Sequence, residues 1–320
     1  MSAPDWRPTA RPEVLRARAA MLSRIRAHFA AAGVLEVETP TLSRAAVTDV
    51  HLASVPAEVA GLGRMHLHTS PEYAMKRLLA SGLGDCYQVC RVYRDGELGR
   101  WHNPEFTMVE WYRKGFDAGA LMDDVEALVR TALAPHRPLG PFDRVTYRDA
   151  VRREAGLDPA AASAAEIAQA LSAHGVEAPR AARDELLDLL VSAVVGPALG
   201  RGGGTFVCDY PASQAALARL KPSDPSVAER FELYLDGVEL ANGFHELADP
   251  AEQRARFAAD LAERARRGLP APPLDERFLA ALESGLPDCA GVALGFDRLV
   301  MAGLGLDSLA DALAFPADRA

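Results

Sequence analysis

The 320-residue sequence predicts an α+β fold, antiparallel strands flanked by helices, and three observations carry that prediction. The first is Asp236-Gly237 between two alternating runs, a strong signal for a two-residue β-turn. The second is a pair of β-prone runs, 86–94 and 106–112, separated by a polar, Gly-containing loop, which reads as a long-looped hairpin. The third is helical periodicity with start and stop signals before, between and after these strands.

In chain order, residues 23–32 read as the end of an amphipathic helix, with Ile25 and Phe29 four apart and Gly33 just past its C-terminus. An extended segment, 34–40, follows. A short strand at 65–68 runs into Ser70 and Pro71, a cap and a first-turn proline for a helix that reaches about Ser81 and Gly82. The Ala-rich stretch 139–204 holds helical segments near 165–173 and 185–195 and stops at Arg201-Gly202-Gly203-Gly204, so it reads as a helical insertion. Asp249-Pro250-Ala251-Glu252 then opens a helix that ends near Gly268. One domain spanning 1–320 is expected.

Composition narrows the function. With 49% hydrophobic, 25% charged and 7% aromatic residues the chain is that of a folded protein, and no apolar run is long enough to span a bilayer. The first twenty residues carry Asp5, Arg7, Arg11, Glu13, Arg16 and Arg18 with no apolar run among them, so no secretory signal is read and a cytoplasmic protein is expected. Forty-four acidic against 35 basic side chains give a net charge of −9, which excludes a general field for polyanions. Lysines are only Lys76, Lys114 and Lys221. Cys86, Cys90, Cys208 and Cys289 form no CxxC pair, which argues for buried thiols in a reducing compartment rather than a zinc site.

The Asp236-Gly237 turn places Leu235 opposite Val238, Tyr234 opposite Glu239 and Glu232 opposite Ala241. One face is then apolar: Phe231, Leu233, Leu235, Val238 and Leu240. The other holds Glu232, Tyr234, Glu239 and Ala241, with two carboxylates close enough to share a divalent cation or simply to solvate an exposed face. The continuation Asn242-Gly243-Phe244-His245-Glu246 favours a site. Upstream, Phe106, Met108, Glu110 and Tyr112 alternate onto one face of their strand, Thr107, Val109 and Trp111 onto the other. A carboxylate between apolar neighbours needs a partner. Glu110 therefore meets an arginine or awaits a cationic ligand.

Three separated segments, GVLEVETPTL (33–42), RVYRDGELGRWHNPEFTMVEWY (91–112) and GVALGFDRLVM (291–301), resemble in order the three signature motifs of class II aminoacyl-tRNA synthetases. HNPEFTM and ELANGFHEL resemble the lysyl branch, and the chain from about Arg11 onward is similar to its short bacterial paralogues that attach lysine to elongation factor P. The resemblance implies a central, mainly antiparallel sheet of six to seven strands and a homodimer formed through the first motif. About thirty residues precede that motif, too few for an anticodon-reading β-barrel, so no tRNA and no membrane partner is expected.

The implied activity is ATP-dependent adenylation of (R)-β-lysine or lysine, with transfer to a lysine of elongation factor P. The resemblance makes Arg94 and Arg298 the catalytic arginines, on the α- and γ-phosphates respectively. Arg100 and His102 would reach the outer phosphates, Asn103 would belong to the same ATP-binding loop, and Phe106 would stack on adenine. Glu232 and Glu239 would hold Mg2+. For the amino acid, Glu110 and Glu246 would embrace the side-chain ammonium beside Tyr112, Glu72 would meet the other ammonium, and Asn242 the carboxylate end. Ser70 and Ala241 stand where lysyl enzymes usually have alanine and glycine, and the methyl that Ala241 adds disfavours ordinary lysine by about 1–3 kcal/mol. Arg94-Asp95-Gly96-Glu97 shifts the adenine-reading acid by one place, leaving Glu97 or backbone groups for that task. Two other readings stay open, a lysine-activating enzyme with a different acceptor and a catalytically silent regulatory paralogue. The set Arg94, Glu232, Glu239 and Arg298 speaks against the second.

Overall fold

The computed structural model describes residues 6–320; residues 1–5, Asp5 among them, lie outside the described residues. The N-terminal half runs α1 (Pro12–Ala31), β1 (Leu35–Glu36), β2 (Leu42–Ser43), β3 (Pro56–Val59), β4 (Gly63–Leu67), α2 (Glu72–Ala80), β5 (Cys86–Tyr93), β6 (Glu105–Lys114) and α3 (Ala118–Leu133). Next come β7 (Asp143–Thr146), α4 (Tyr147–Ala155), α5 (Ala164–Ala173), α6 (Arg183–Leu190), β8 (Gly204–Pro211) and β9 (Leu220–Lys221). The chain finishes with β10 (Asp224–Leu235), β11 (Val238–His245), α7 (Pro250–Arg266), α8 (Glu276–Gly285), β12 (Cys289–Gly295) and α9 (Phe296–Leu304).

The main sheet has the order β1-β5-β6-β12-β11-β10-β8-β7, with β9 beside β10, and a small second sheet is built from β2, β4 and β3. Strands β5, β6, β12, β11, β10 and β8 pair antiparallel throughout. The fold is thus α+β, but the sheet has nine strands rather than six or seven. The additions β1, β7 and β9 are two to four residues long, too short for alternation to register in the sequence.

Periodicity explains the layers. Helix α1 buries Val14, Met21, Ile25 and Phe29 along one stripe, and Gly33, at φ +70, turns the chain out of it. With α3 and α9 it covers one face of the sheet, meeting Val109 and Trp111 of β6, Phe231 and Leu233 of β10, and Val292 and Leu294 of β12. Helices α2 and α8 pack together against Cys86, Tyr112 and Cys289. Helices α4, α5 and α6 form a further core with Val207 and Tyr234. All four cysteines are free; Cys86 and Cys289 are buried, whereas Cys90 and Cys208 are only half-buried. Among the described residues no helix is long and apolar enough to cross a membrane.

Asp236 and Gly237 both have positive φ, +50 and +78, as a two-residue turn between right-twisted strands requires. Leu235 faces Val238 and Tyr234 faces Glu239 as the turn dictates, but Leu233 then faces Ala241 and Glu232 faces Asn242. Leu240 is the extra residue of a β-bulge. The derived pairing of Glu232 with Ala241 is therefore corrected. Ala241 turns to the apolar core beside Leu233 and Leu294, while Glu232 and Glu239 stay on one side. Gly243, opposite Phe231, is also set by packing, since a Cβ there would overlap the Phe231 ring. Gly243→Ala should lower stability by about 1–3 kcal/mol through overpacking. Thermal denaturation checks this, and an unchanged melting temperature would show that the ring can move aside.

Candidate active site

A cavity of about 1310 Å³ opens on the sheet face that α1, α3 and α9 leave bare. Strand alternation supplies its floor. Phe106, Met108, Glu110 and Tyr112 of β6 point into it, as do Gly291, Ala293 and Gly295 of β12. Helix α2, the loop 43–52, α6 and α7 supply its walls.

One cluster gathers carboxylates. Glu110 is 2% exposed and is held by two hydroxyls: Ser70 Oγ donates to Oε2 at 2.8 Å and Tyr112 OH to Oε1 at 2.7 Å. No arginine meets it. Burial, reinforced by Glu72, pushes its pKa up to about 7. Ser70 Oγ also accepts from the Glu72 amide at 3.0 Å, just ahead of α2, whose N-cap is Pro71 with no side-chain cap bond, so the expected Ser70 cap with Pro71 in the first turn is corrected. Glu246, just past β11, is equally buried, and burial raises its pKa even though Lys76 pulls the other way. Gly291 makes this convergence possible. A Cβ there would lie 2.5 Å from Glu246 Oε1 and would overlap the Tyr112 ring.

Two members of this cluster were not expected from the sequence. Lys76 is wholly buried, its Nζ 2.6 Å from Glu72 Oε1 and 2.5 Å from Glu246 Oε2. Its i,i+4 spacing from Glu72 is the one available signal, and such a pair usually reads as a solvated helix face. Gln253 of α7, also fully buried, lines the cavity with both amide atoms unpartnered. Only its spacing of four from Phe257 hints that it turns inward.

The second cluster joins arginines to the acidic pair. Arg230 reaches Glu232 Oε1 at 2.5 Å, and Tyr234 OH donates to Oε2 at 2.7 Å. Arg230 lies over the Tyr210 ring at 4.3 Å and bonds Asn242 Oδ1 at 3.3 Å. Glu239 is raised in pKa by burial and then by Glu232, the signature of facing carboxylates. Arg298 Nη1 donates to the Glu239 carbonyl at 2.9 Å, and its Nη2 meets His102 Nε2 at 2.8 Å. Burial, then Arg298, depresses the His102 pKa, so this ring is neutral at pH 7. Asp297, next to Arg298 at the start of α9, is buried, accepts from the Thr107 amide at 2.7 Å and pairs with Arg18. Arg94 lies over the Phe106 ring at 5.1 Å, 3.6 Å from Glu97, with its buried Nε unpartnered.

Three sequence expectations change. Arg100 does not line the cavity; its Nε donates to the Asp307 carbonyl at 2.8 Å and its guanidinium lies over Trp101. Asn103 borders the cavity, yet its amide is engaged by the Glu105 carbonyl and the Ala317 amide. Ala241 lies on the core side and is absent from the lining. The bulge at Leu240 causes the last change; the C-terminal segment, which captures the 94–103 loop, causes the other two.

Among the described residues no trio of His, Cys, Asp or Glu forms an all-protein metal cage. Glu232 and Glu239 fit Mg2+, which is held by one or two carboxylates together with phosphates and water.

The comparisons with known proteins agree with this geometry. The chain matches the family tRNA synthetases class II (D, K and N) over residues 3–319. A protein of Vibrio cholerae named elongation factor P--(R)-beta-lysine ligase is 50% identical, with 100% of both chains covered. Proteins of the same name from Vibrio vulnificus and Klebsiella pneumoniae are 49% and 47% identical over 98% of each chain. With three ordered motifs, an antiparallel sheet carrying them and this match over nearly its whole length, the chain belongs to the class II tRNA synthetase family (D, K and N).

Proposed function

We propose that the chain activates (R)-β-lysine, or lysine, with ATP and transfers the aminoacyl group to a lysine side chain of elongation factor P. The observation that carries this reading is one cavity with two charge clusters. Glu72, Glu110 and Glu246 suit a diamino acid, whereas Arg94, Arg230, Arg298, Glu232 and Glu239 suit a nucleotide with its metal. The names of full-length relatives support the same substrate and acceptor. We read residues 139–204 as an insertion into the catalytic domain. Exposed Leu35 and Leu83 near the first motif support a homodimer, and the acidic net charge supports an acceptor other than tRNA.

In the first half-reaction the amino acid's carboxylate oxygen attacks the α-phosphorus of ATP and the bond to pyrophosphate breaks. The protein needs no nucleophile of its own; it positions the reactants and stabilises charge. Arg94 would hold the α-phosphate and the incoming carboxylate through its planar fork, with Phe106 as the adenine platform. Arg298 serves the terminal phosphate, held by the Glu239 carbonyl and His102. Glu232 and Glu239 would hold Mg2+, which neutralises phosphate charge when bound. Glu110 and Glu246 clasp the side-chain ammonium and Glu72 the second ammonium. A neutral amino acid leaves buried carboxylates unpaired and is rejected on that account. In the second half-reaction the acceptor's amine attacks the adenylate carbonyl and AMP leaves.

Pyrophosphate exchange driven by lysine or (R)-β-lysine tests the reading; a folded chain that exchanges with neither refutes it. Glu239→Gln should cut exchange by roughly 100-fold or more while the melting temperature stays near that of the native chain. Gly291→Ala should raise KM for the diamino acid at least about tenfold and leave KM for ATP nearly unchanged, because Tyr112 and Glu246 must separate. The pH dependence follows from Glu110. Its carboxylate form binds the ammonium, and its pKa in the empty pocket is about 7, so binding below pH 7 must expel a proton. Glu246, which clasps the same ammonium, is raised to about 8, so KM for the amino acid should rise as pH falls through 8, more steeply below 7, and level off only above about 9. Glu110→Gln should raise KM and remove the steeper part of this rise below pH 7, leaving the part set by Glu246, and a profile unchanged by the substitution would remove Glu110 from ammonium recognition.

A further inference from the structure

Lys76 lies where a substrate ammonium would otherwise be expected, between two of the three carboxylates. It projects from α2 into the sheet side of the helix, wholly out of water, with Nζ bridging Glu72 and Glu246 and lying 5.8 Å from the Phe278 ring centroid. Burial alone would drive a lysine to shed its proton, but Glu246 and then Glu72 outweigh it and hold the ammonium charged. The titratable groups that act on it are Glu72 on α2, Glu246 after β11, Glu110 on β6 and Cys289 on β12, while α8 offers it the Phe278 ring.

The two bridged carboxylates differ from the third. Glu110 has only neutral hydroxyls, Ser70 and Tyr112, as partners. Three carboxylates and one ammonium leave a formal charge of −2, which two ammonium groups of a diamino acid cancel. Without the lysine the count is −3. A buried site of that charge relieves itself by taking up a proton, and a protonated carboxyl no longer attracts an ammonium.

Resting on the diamino-acid reading above, we propose that Lys76 is a positioning residue for the substrate: it ties Glu72 and Glu246 together through one ammonium, sets the pocket's formal charge to match two ammonium groups, and leaves Glu110 as the carboxylate without a cationic partner. Lys76 touches neither the reacting atoms nor the nucleotide cluster. Its removal should therefore act on amino acid binding and leave ATP binding alone.

The test is amino acid-dependent pyrophosphate exchange by the full chain, native and with Lys76→Met, Lys76→Gln or Lys76→Arg, from pH 6 to 9, with thermal melts of each. The neutral variants should raise KM for lysine and (R)-β-lysine tenfold or more, change KM for ATP less than twofold, and move the rise of amino acid KM to higher pH by at least one unit. Lys76→Arg, which keeps a cation, should recover at least part of the loss and return the pH profile toward the native one. Neutral variants that fold with native amino acid KM and pH profile overturn the inference. So do equal losses for amino acid and ATP, or neutral variants that do not fold at all, which would make Lys76 a folding residue. Absence of exchange by the native chain is a separate failure, that of the functional reading itself.

Discussion

Keeping five carboxylates on one cavity wall, three of them at most 7% exposed, is the constraint around which the rest of this molecule is arranged. An ionised carboxyl taken out of water without partners costs several kcal/mol. Each here is therefore given donors of graded strength. Glu110 receives two neutral hydroxyls, Glu72 and Glu246 share one ammonium, Glu232 receives a guanidinium and a phenol, and Glu239 borders Arg298. Partial compensation is the functional point, because a fully compensated carboxylate has no remaining affinity for an ammonium or a metal.

The sheet makes that grading possible. An antiparallel sheet packs one face on a core and can leave the other to a site. Val109 and Trp111 anchor β6 on α1 and α3 while Glu110 and Tyr112 of the same strand face the cavity. Glycine completes the scheme at Gly291, where the missing side chain is the space in which Tyr112 and Glu246 meet. Rigidity follows from this packing, and with it a fixed distance between the ammonium-binding acids and the arginines.

How much of this was legible in the sequence depended on whether a two-residue period or a longer-range contact decided the matter. Glu110, Tyr112, Glu232 and Glu239 fall on the cavity side by alternation, and the Asp236-Gly237 turn fixes the hairpin's start. Alternation fails at Leu240, because a bulge adds one residue without any composition signal, and Ala241 passes to the other face. Lys76 was illegible for another reason. Its spacing from Glu72 suits a surface ion pair, and only the approach of Glu246, 170 positions away, makes it a buried one. Arg100 and Asn103 are engaged by the C-terminal segment, at Asp307 and Ala317, a contact that no local pattern encodes.

These misreadings share a physical origin that bears on selectivity. Residues whose side is set by their own strand bring charge and planarity to the cavity, whereas Lys76, fixed by a distant contact, sets how much charge is left over. Removing a hydroxyl from Glu110 changes one hydrogen bond; removing Lys76 changes the net charge that the substrate must complement. In a buried site the second kind of change propagates further, since each uncompensated charge raises the proton affinity of every carboxyl nearby. On the proposed reading, discrimination between a diamino acid and a neutral one is thus a property of the whole cluster, in which the helix, the hairpin end and the floor strand are locked in one register.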